Sequence, residues 1–118
     1  MNKLIITVMM GFLAISSQAL AVSADDEIQH LLQFVGESNA VFIRNGQEYQ
    51  PKEAADHLAK KWESLKDQIV SAEDFIRLVG TKSLLSGKVY LVKQKNGETQ
   101  ESSEWLSEEL NRYRKQKK

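Results

Sequence analysis

From residue 24 onward the chain alternates between two hydrophobic rhythms. Ile28, Leu31, Leu32 and Val35 recur at i, i+3, i+4 and i+7, the spacing of one helix face. Ser23 and Asp26 precede them at capping-box spacing, with Asp in place of Glu, and Gly36 follows. The pattern predicts a helix over about 24–35, stopped near Gly36. His30 lies off the stripe and reads as a solvated or rim histidine. The period then shortens to two around Asn45-Gly46, a pair suited to a type I′ turn because both of its central positions need positive φ. A two-residue loop sets the register: Arg44 opposite Gln47, Ile43 opposite Glu48, Phe42 opposite Tyr49. Phe42 and Tyr49 form a cross-strand aromatic pair, and Arg44 shares their face.

Pro51 suits the first position of the next helix and Glu53 its first turn. Ala54, Ala55, Leu58, Ala59, Trp62 and Leu65 make one broad apolar face. Lys60 points away from that face, Lys61 sits on its edge, and His57 lies one turn before Lys61 on the same flank. A third helix starts at Ser71, with Asp74 at the box position, Val70 stapling onto Phe75, and Ala72, Phe75, Ile76 and Val79 buried. Gly80 is its stop. Residues 81–87 form a polar, small-residue connection. The segment "KVYLVKQ" (88–94) reads as an inner strand, since its apolar residues fall on both faces. Asn96-Gly97 turns it into a polar edge strand, "ETQE". A last helix begins near Ser102 or Ser103, with Leu106, Leu110 and Tyr113 on its stripe and Trp105 beside them.

The predicted class is α+β: a single small domain, ordered helix-hairpin-helix-helix-hairpin-helix, with a small antiparallel sheet covered by helices. The run strand, Asn-Gly, polar strand, helix occurs twice. Asn-Gly hairpins are common, and the recurrence is read as coincidence rather than as an internal repeat.

The segment ahead of this domain changes where the protein is expected to work. Lys3, the apolar run "LIITVMMGFLAI" (4–15) and the small residues Ala19 and Ala21 make the three-part pattern of a secretory signal peptide. Residues 1–21 are the expected leader and 22–118 the mature domain, with a second cleavage position after Ala24. The expected location is the periplasm, with no transmembrane anchor once the leader is removed.

Composition excludes more than it suggests. The 118 residues carry 16 Lys+Arg against 16 Asp+Glu, so no global field draws the chain to nucleic acid. The absence of cysteine removes disulfides, thiolate nucleophiles and Cys-ligated metals. The two histidines lack HExxH spacing, and no metal or other cofactor is expected. "GTKSLLSGK" (80–88) fails as a phosphate loop: six residues separate its glycines, and it runs from helix to strand. A Ser–His–acid set could draw on His57, Glu73 and Ser83 or Ser86, yet nothing in the spacing makes them converge, and no GxSxG elbow is present. The basic end "RYRKQKK" (112–118) suits a solvated helix C-terminus. "SGKVY" (86–90) matches the SGxxY pattern of periplasmic lysozyme inhibitors, whose loop plugs an enzyme cleft.

The stretches "FIRNGQEYQPKEAADHLAKKW", "SAEDFIRLVGTKSLLSGKVYLV" and "SSEWLSEEL" together resemble domain-of-unknown-function family 5329, small exported bacterial proteins. One departure is Val89, where the family pattern has proline. The resemblance implies export and no particular activity. Two readings stand side by side. In the first, the protein is a non-enzymatic envelope module that binds an unidentified partner or ligand. Its candidate surface is Arg44, Tyr49, His57, Lys61, Ser83, Ser86, Lys88 and Tyr90. In the second, it is a small hydrolase using His57 and Glu73. The lysozyme-inhibitor-like loop Ser86–Tyr90 is a minor third.

Overall fold

A computed structural model describes residues 22–117; the predicted leader lies outside them. The described chain folds as α1 (Ala24–Glu37), β1 (Val41–Arg44), β2 (Gln47–Tyr49), α2 (Pro51–Ser64), a 3-10 turn (Lys66–Gln68), α3 (Ala72–Leu78), β3 (Leu91–Lys93), β4 (Thr99–Glu101) and α4 (Ser102–Gln116). This is the expected α+β order. The four strands form one antiparallel sheet in the order β2-β1-β3-β4. Among the described residues no helix is long and apolar enough to cross a membrane.

Local rules explain most element ends. Ser23 Oγ accepts the Asp26 N–H, and Ser71 Oγ accepts the Asp74 N–H. Asn45 and Gly46 both have positive φ, and the β1–β2 register is the one that a two-residue turn dictates. The second hairpin differs. Only Gly97 has positive φ there, and Gln94 N–H bonds the Glu98 carbonyl while Gly97 N–H bonds Gln94. This is a three-residue loop closed by a left-handed glycine.

Three expectations are corrected. Helix α1 runs past Gly36 to Glu37, because Gly36 lies against Ala55: an added Cβ would stand 3.4 Å from the Ala55 Cβ. The glycine permits close helix packing rather than ending the helix. Val70 does not staple; it is 80% exposed, and Ile69 is buried instead. The Val70 N–H is spent on the Asp74 carboxylate, which turns its side chain outward. The strand predicted over 88–94 is regular only over Leu91–Lys93. Val89 pairs back onto Lys82, which pulls the preceding residues out of the sheet.

The core joins Ile28, Leu31 and Val35 of α1, Leu58 and Trp62 of α2, Phe75 and Ile76 of α3 and Leu106 and Leu110 of α4 to Phe42, Tyr90 and Val92. Phe42 and Val92 face each other across the central β1–β3 pair. At about 1.5–3 kcal/mol for each large side chain removed from water, this layer supplies the main drive to fold.

The recurrence read as coincidence turns out to be architectural. Exchanging β1 with β3 carries β2 onto β4, Phe42 onto Val92 and Tyr49 onto Gln100. Each hairpin passes directly into a helix, and each is preceded by one that opens Ser-Ala-x-Asp-x-Ile, at Ser23–Ile28 and Ser71–Ile76. The domain is two helix–hairpin–helix units joined at the centre of the sheet.

Candidate functional site

The first hairpin lays its inner face against α2. Alternation along β1 sends Phe42 and Arg44 to the same side, Phe42 buried and Arg44 half-buried. Helical spacing on α2 brings Glu53, Ala54 and His57 to meet them. Phe42, Arg44, Tyr49, Glu53, Ala54 and His57 line a hollow of about 140 Å³. Its floor is apolar, from Phe42 and Ala54, and its wall carries a guanidinium, an imidazole and a phenol.

Tyr90 ties this hollow to the loop behind it. Its ring is buried and sits 5.2 Å from Phe42, centroid to centroid. Its hydroxyl lies 3.1 Å from Lys61 Nζ and 3.3 Å from His57 Nε2. Lys61 also donates to the carbonyls of Val79 (3.1 Å) and Lys82 (2.7 Å). All three ammonium protons of Lys61 therefore have acceptors. Since Lys61 can only donate, Tyr90 accepts from it and can pass its own proton toward His57 Nε2. His57 is then neutral, with its proton on Nδ1.

Electrostatics agree with that assignment. Burial lowers the His57 pKa, and the charges of Arg44, Lys61 and Lys60 lower it further. Burial, with Arg44 nearby, lowers Lys61 to about 8. Burial raises the Tyr90 phenol. Three basic side chains thus gather here with one carboxylate, Glu53, whose Oε1 accepts the Gln50 N–H as part of the helix cap. Arg44 Nη1 reaches Tyr49 Oη at 3.4 Å, but Arg44 Nε is buried without a hydrogen-bond partner. An unpaired buried donor costs about 1–3 kcal/mol, more on a charged group.

The structure brings Arg44, Tyr49, His57, Lys61 and Tyr90 together. It does not bring in the rest. Ser83 is buried at the base of the following loop, Ser86 hydrogen-bonds Asn45 at the first hairpin turn, and the Lys88 side chain is exposed. In "SGKVY" the tyrosine belongs to the core. Glu73 belongs elsewhere. Arg114 grips Glu73 and Glu27 together, which lowers the Glu73 pKa, and Glu73 lines a separate groove with Ile76, Thr81 and Leu110. Among the described residues no group of three or more His, Asp or Glu could hold a metal ion.

Besides the Arg114 clamp, sequence reasoning missed a second polar cluster. His30 stacks on Tyr113 with centroids 3.8 Å apart, and its Nε2 contacts the buried Glu109, which Arg112 also grips at 2.6 Å and 2.7 Å. Arg112 is the main reason that the Glu109 pKa is lowered. His30 and Glu109 stand 79 residues apart, so no local spacing announces them. Residues 22–114 match the family described as a family of unknown function, DUF5329. No curated protein and no solved structure matches the chain.

Proposed function

The chain belongs to DUF5329, a family of unknown function, and from that premise we propose an exported, non-enzymatic binding module of the cell envelope whose hollow between β1, β2 and α2 receives a carboxylate on a short apolar stem. The observation that carries this reading is the buried, unpartnered Nε of Arg44 beside neutral His57. Arg44 Nε is closed off from solvent, so an arriving carboxylate meets it once the guanidinium turns into the hollow. It then accepts from Nε–H and from His57 Nδ1–H and lies in the positive field of Lys61. The one acid in the wall, Glu53, is already engaged by the Gln50 N–H. At about 140 Å³ the hollow suits a side-chain-sized group, with Phe42 and Ala54 against the stem.

Lys61 plays a positioning part. Its ammonium holds α2, the end of α3 and the following loop together, and the Tyr90 hydroxyl transmits that order to His57. The hydrolase reading finds no matching support: the ring partner of His57 is a phenol, and Glu73 is held by Arg114.

Calorimetric titration with propionate tests the proposal. The wild type should bind it in preference to propionamide, and Arg44→Gln should lose about tenfold or more, as expected for a charge-assisted hydrogen bond worth ~1.5–3 kcal/mol. Equal response to propionate and propionamide would overturn it. So would turnover of an ester abolished by His57→Gln.

A further inference from the structure

Between Gly80 and Tyr90 the chain carries two adjacent leucines on a tip that faces solvent. Leu84 is 66% exposed and Leu85 is 92% exposed, with Val89 at 45%. Lys82 and Lys88 stand on either side with exposed side chains, and the segment contains no Asp or Glu. Its backbone is closed on itself: Ser83 N–H bonds the Lys88 carbonyl, Gly87 N–H bonds Ser83, and Tyr90 N–H bonds Thr81. Ser83 is buried at the base, Lys61 pins the Lys82 carbonyl, and Ser86 contacts Asn45. The tip is therefore fixed in place before anything binds, so docking orders little chain.

We propose that this loop is a membrane-interface anchor, with Leu84 and Leu85 entering the headgroup–acyl boundary of an anionic bilayer while Lys82 and Lys88 meet the lipid phosphates. Exposed leucines cost hydration, and a cationic collar without acids complements an anionic surface. The backbone bonds at the loop base are already satisfied, which a segment entering an apolar layer requires. A protein partner fits less well. The tip is narrow and offers two large apolar side chains, whereas a stable protein interface covers about 800 Å² on each partner. The pocket between β1, β2 and α2 takes no part in this inference, and either can fail alone.

The test uses residues 22–118, whose core runs from Ile28 to Leu110. Co-flotation is measured with vesicles of phosphatidylcholine alone and of phosphatidylcholine mixed with equal phosphatidylglycerol. The protein should float with the mixed vesicles and not with phosphatidylcholine alone. Leu84→Ser with Leu85→Ser should lower partitioning about tenfold or more, from the apolar area withdrawn. Lys82→Gln with Lys88→Gln should also lower it and flatten its salt dependence. Both pairs are exposed side chains, and unchanged melting curves confirm the fold. Absence of flotation overturns the proposal, as does partitioning that the leucine pair does not alter. A protein that binds through the leucines while the vesicles are ignored would also overturn it, in favour of a protein cleft.

Discussion

Where the first half of the molecule carries Tyr49 and His57, the second carries Gln100 and Glu108. Both pairs occupy the same places relative to the sheet centre and the start of the following helix. In the second half the two side chains satisfy each other, Gln100 Nε2 donating to Glu108 Oε1 at 3.0 Å. In the first half they do not: His57 turns to Tyr90, Tyr49 to Arg44 and Gln47, and a hollow opens between them. Arg44 in β1 has Gln94 as its counterpart after β3. One scaffold thus pairs these two side chains on one side and leaves the charged donor Arg44 Nε unspent on the other; in the second half the buried atom without a partner is the neutral Ser102 Oγ. The unspent side is where a ligand has something to gain.

The halves also differ one position further along. Leu58 is buried in α2, and its counterpart in α4 is the buried Glu109, held by Arg112 and His30. Swapping these residues is the harshest test of the comparison. Leu58→Glu should cost about 4 kcal/mol or more, because Lys61, at the place that Arg112 holds in α4, is already spent on Val79, Lys82 and Tyr90. Glu109→Leu should cost less, about 1–3 kcal/mol, because Arg112 is half exposed and can turn to water, although His30 loses its carboxylate. Urea denaturation of both variants measures this, and similar losses would dissolve the contrast.

A smaller effect separates the turns. Gly46 has φ of 79° in a two-residue loop beside Asn45, itself at positive φ. Gly46→Val should destabilise by roughly 1–2 kcal/mol, the cost of forcing a branched residue into the left-handed region. An unchanged thermal midpoint would contradict the turn.

The smallest predicted effect is a pH dependence with two signs. Propionate affinity should fall as pH rises through about 8, where Lys61 loses its proton. Folding responds the other way. Between about 8 and the ordinary lysine value of 10.5 the unfolded chain holds this proton and the folded chain does not, so this group raises stability with pH. Titration calorimetry and melting curves across that range separate the two. Affinity that rises through pH 8 would remove Lys61 from the account.

Helix faces, both Asn-Gly turns, the β1–β2 register and the buried stripes were legible because each rests on neighbours a few residues apart. Arg44 with Tyr49 and His57 with Lys61 were each legible as pairs, from a hairpin register and a helix flank; that the two pairs meet depends on how the sheet packs on α2. The rest depends on distance along the chain. The bonds of Lys61 to Val79 and Lys82, its contact with Tyr90, and the clamp of Arg114 on Glu27 and Glu73 arise only after folding. Gly36 and Gly80 show the limit of local reading. Gly80 does stand just past the end of α3, and a Cβ there would also meet Leu106 Cδ1 at 2.6 Å, whereas Gly36 lies inside α1 against Ala55. The half-to-half relation was visible in the repeated Asn-Gly and Ser-x-x-Asp spacings, but only the antiparallel pairing of β1 with β3 gives it meaning.

The central claim is that the first half keeps an unspent donor for an anion, and that donor can be watched directly. The Arg44 Nε–H gives its own nitrogen–proton resonance. Adding propionate to the protein below pH 8 should move that signal to the position of a hydrogen-bonded guanidinium. The Gln94 side-chain signals should stay where they are. An Arg44 Nε–H resonance unmoved at high propionate would contradict the account.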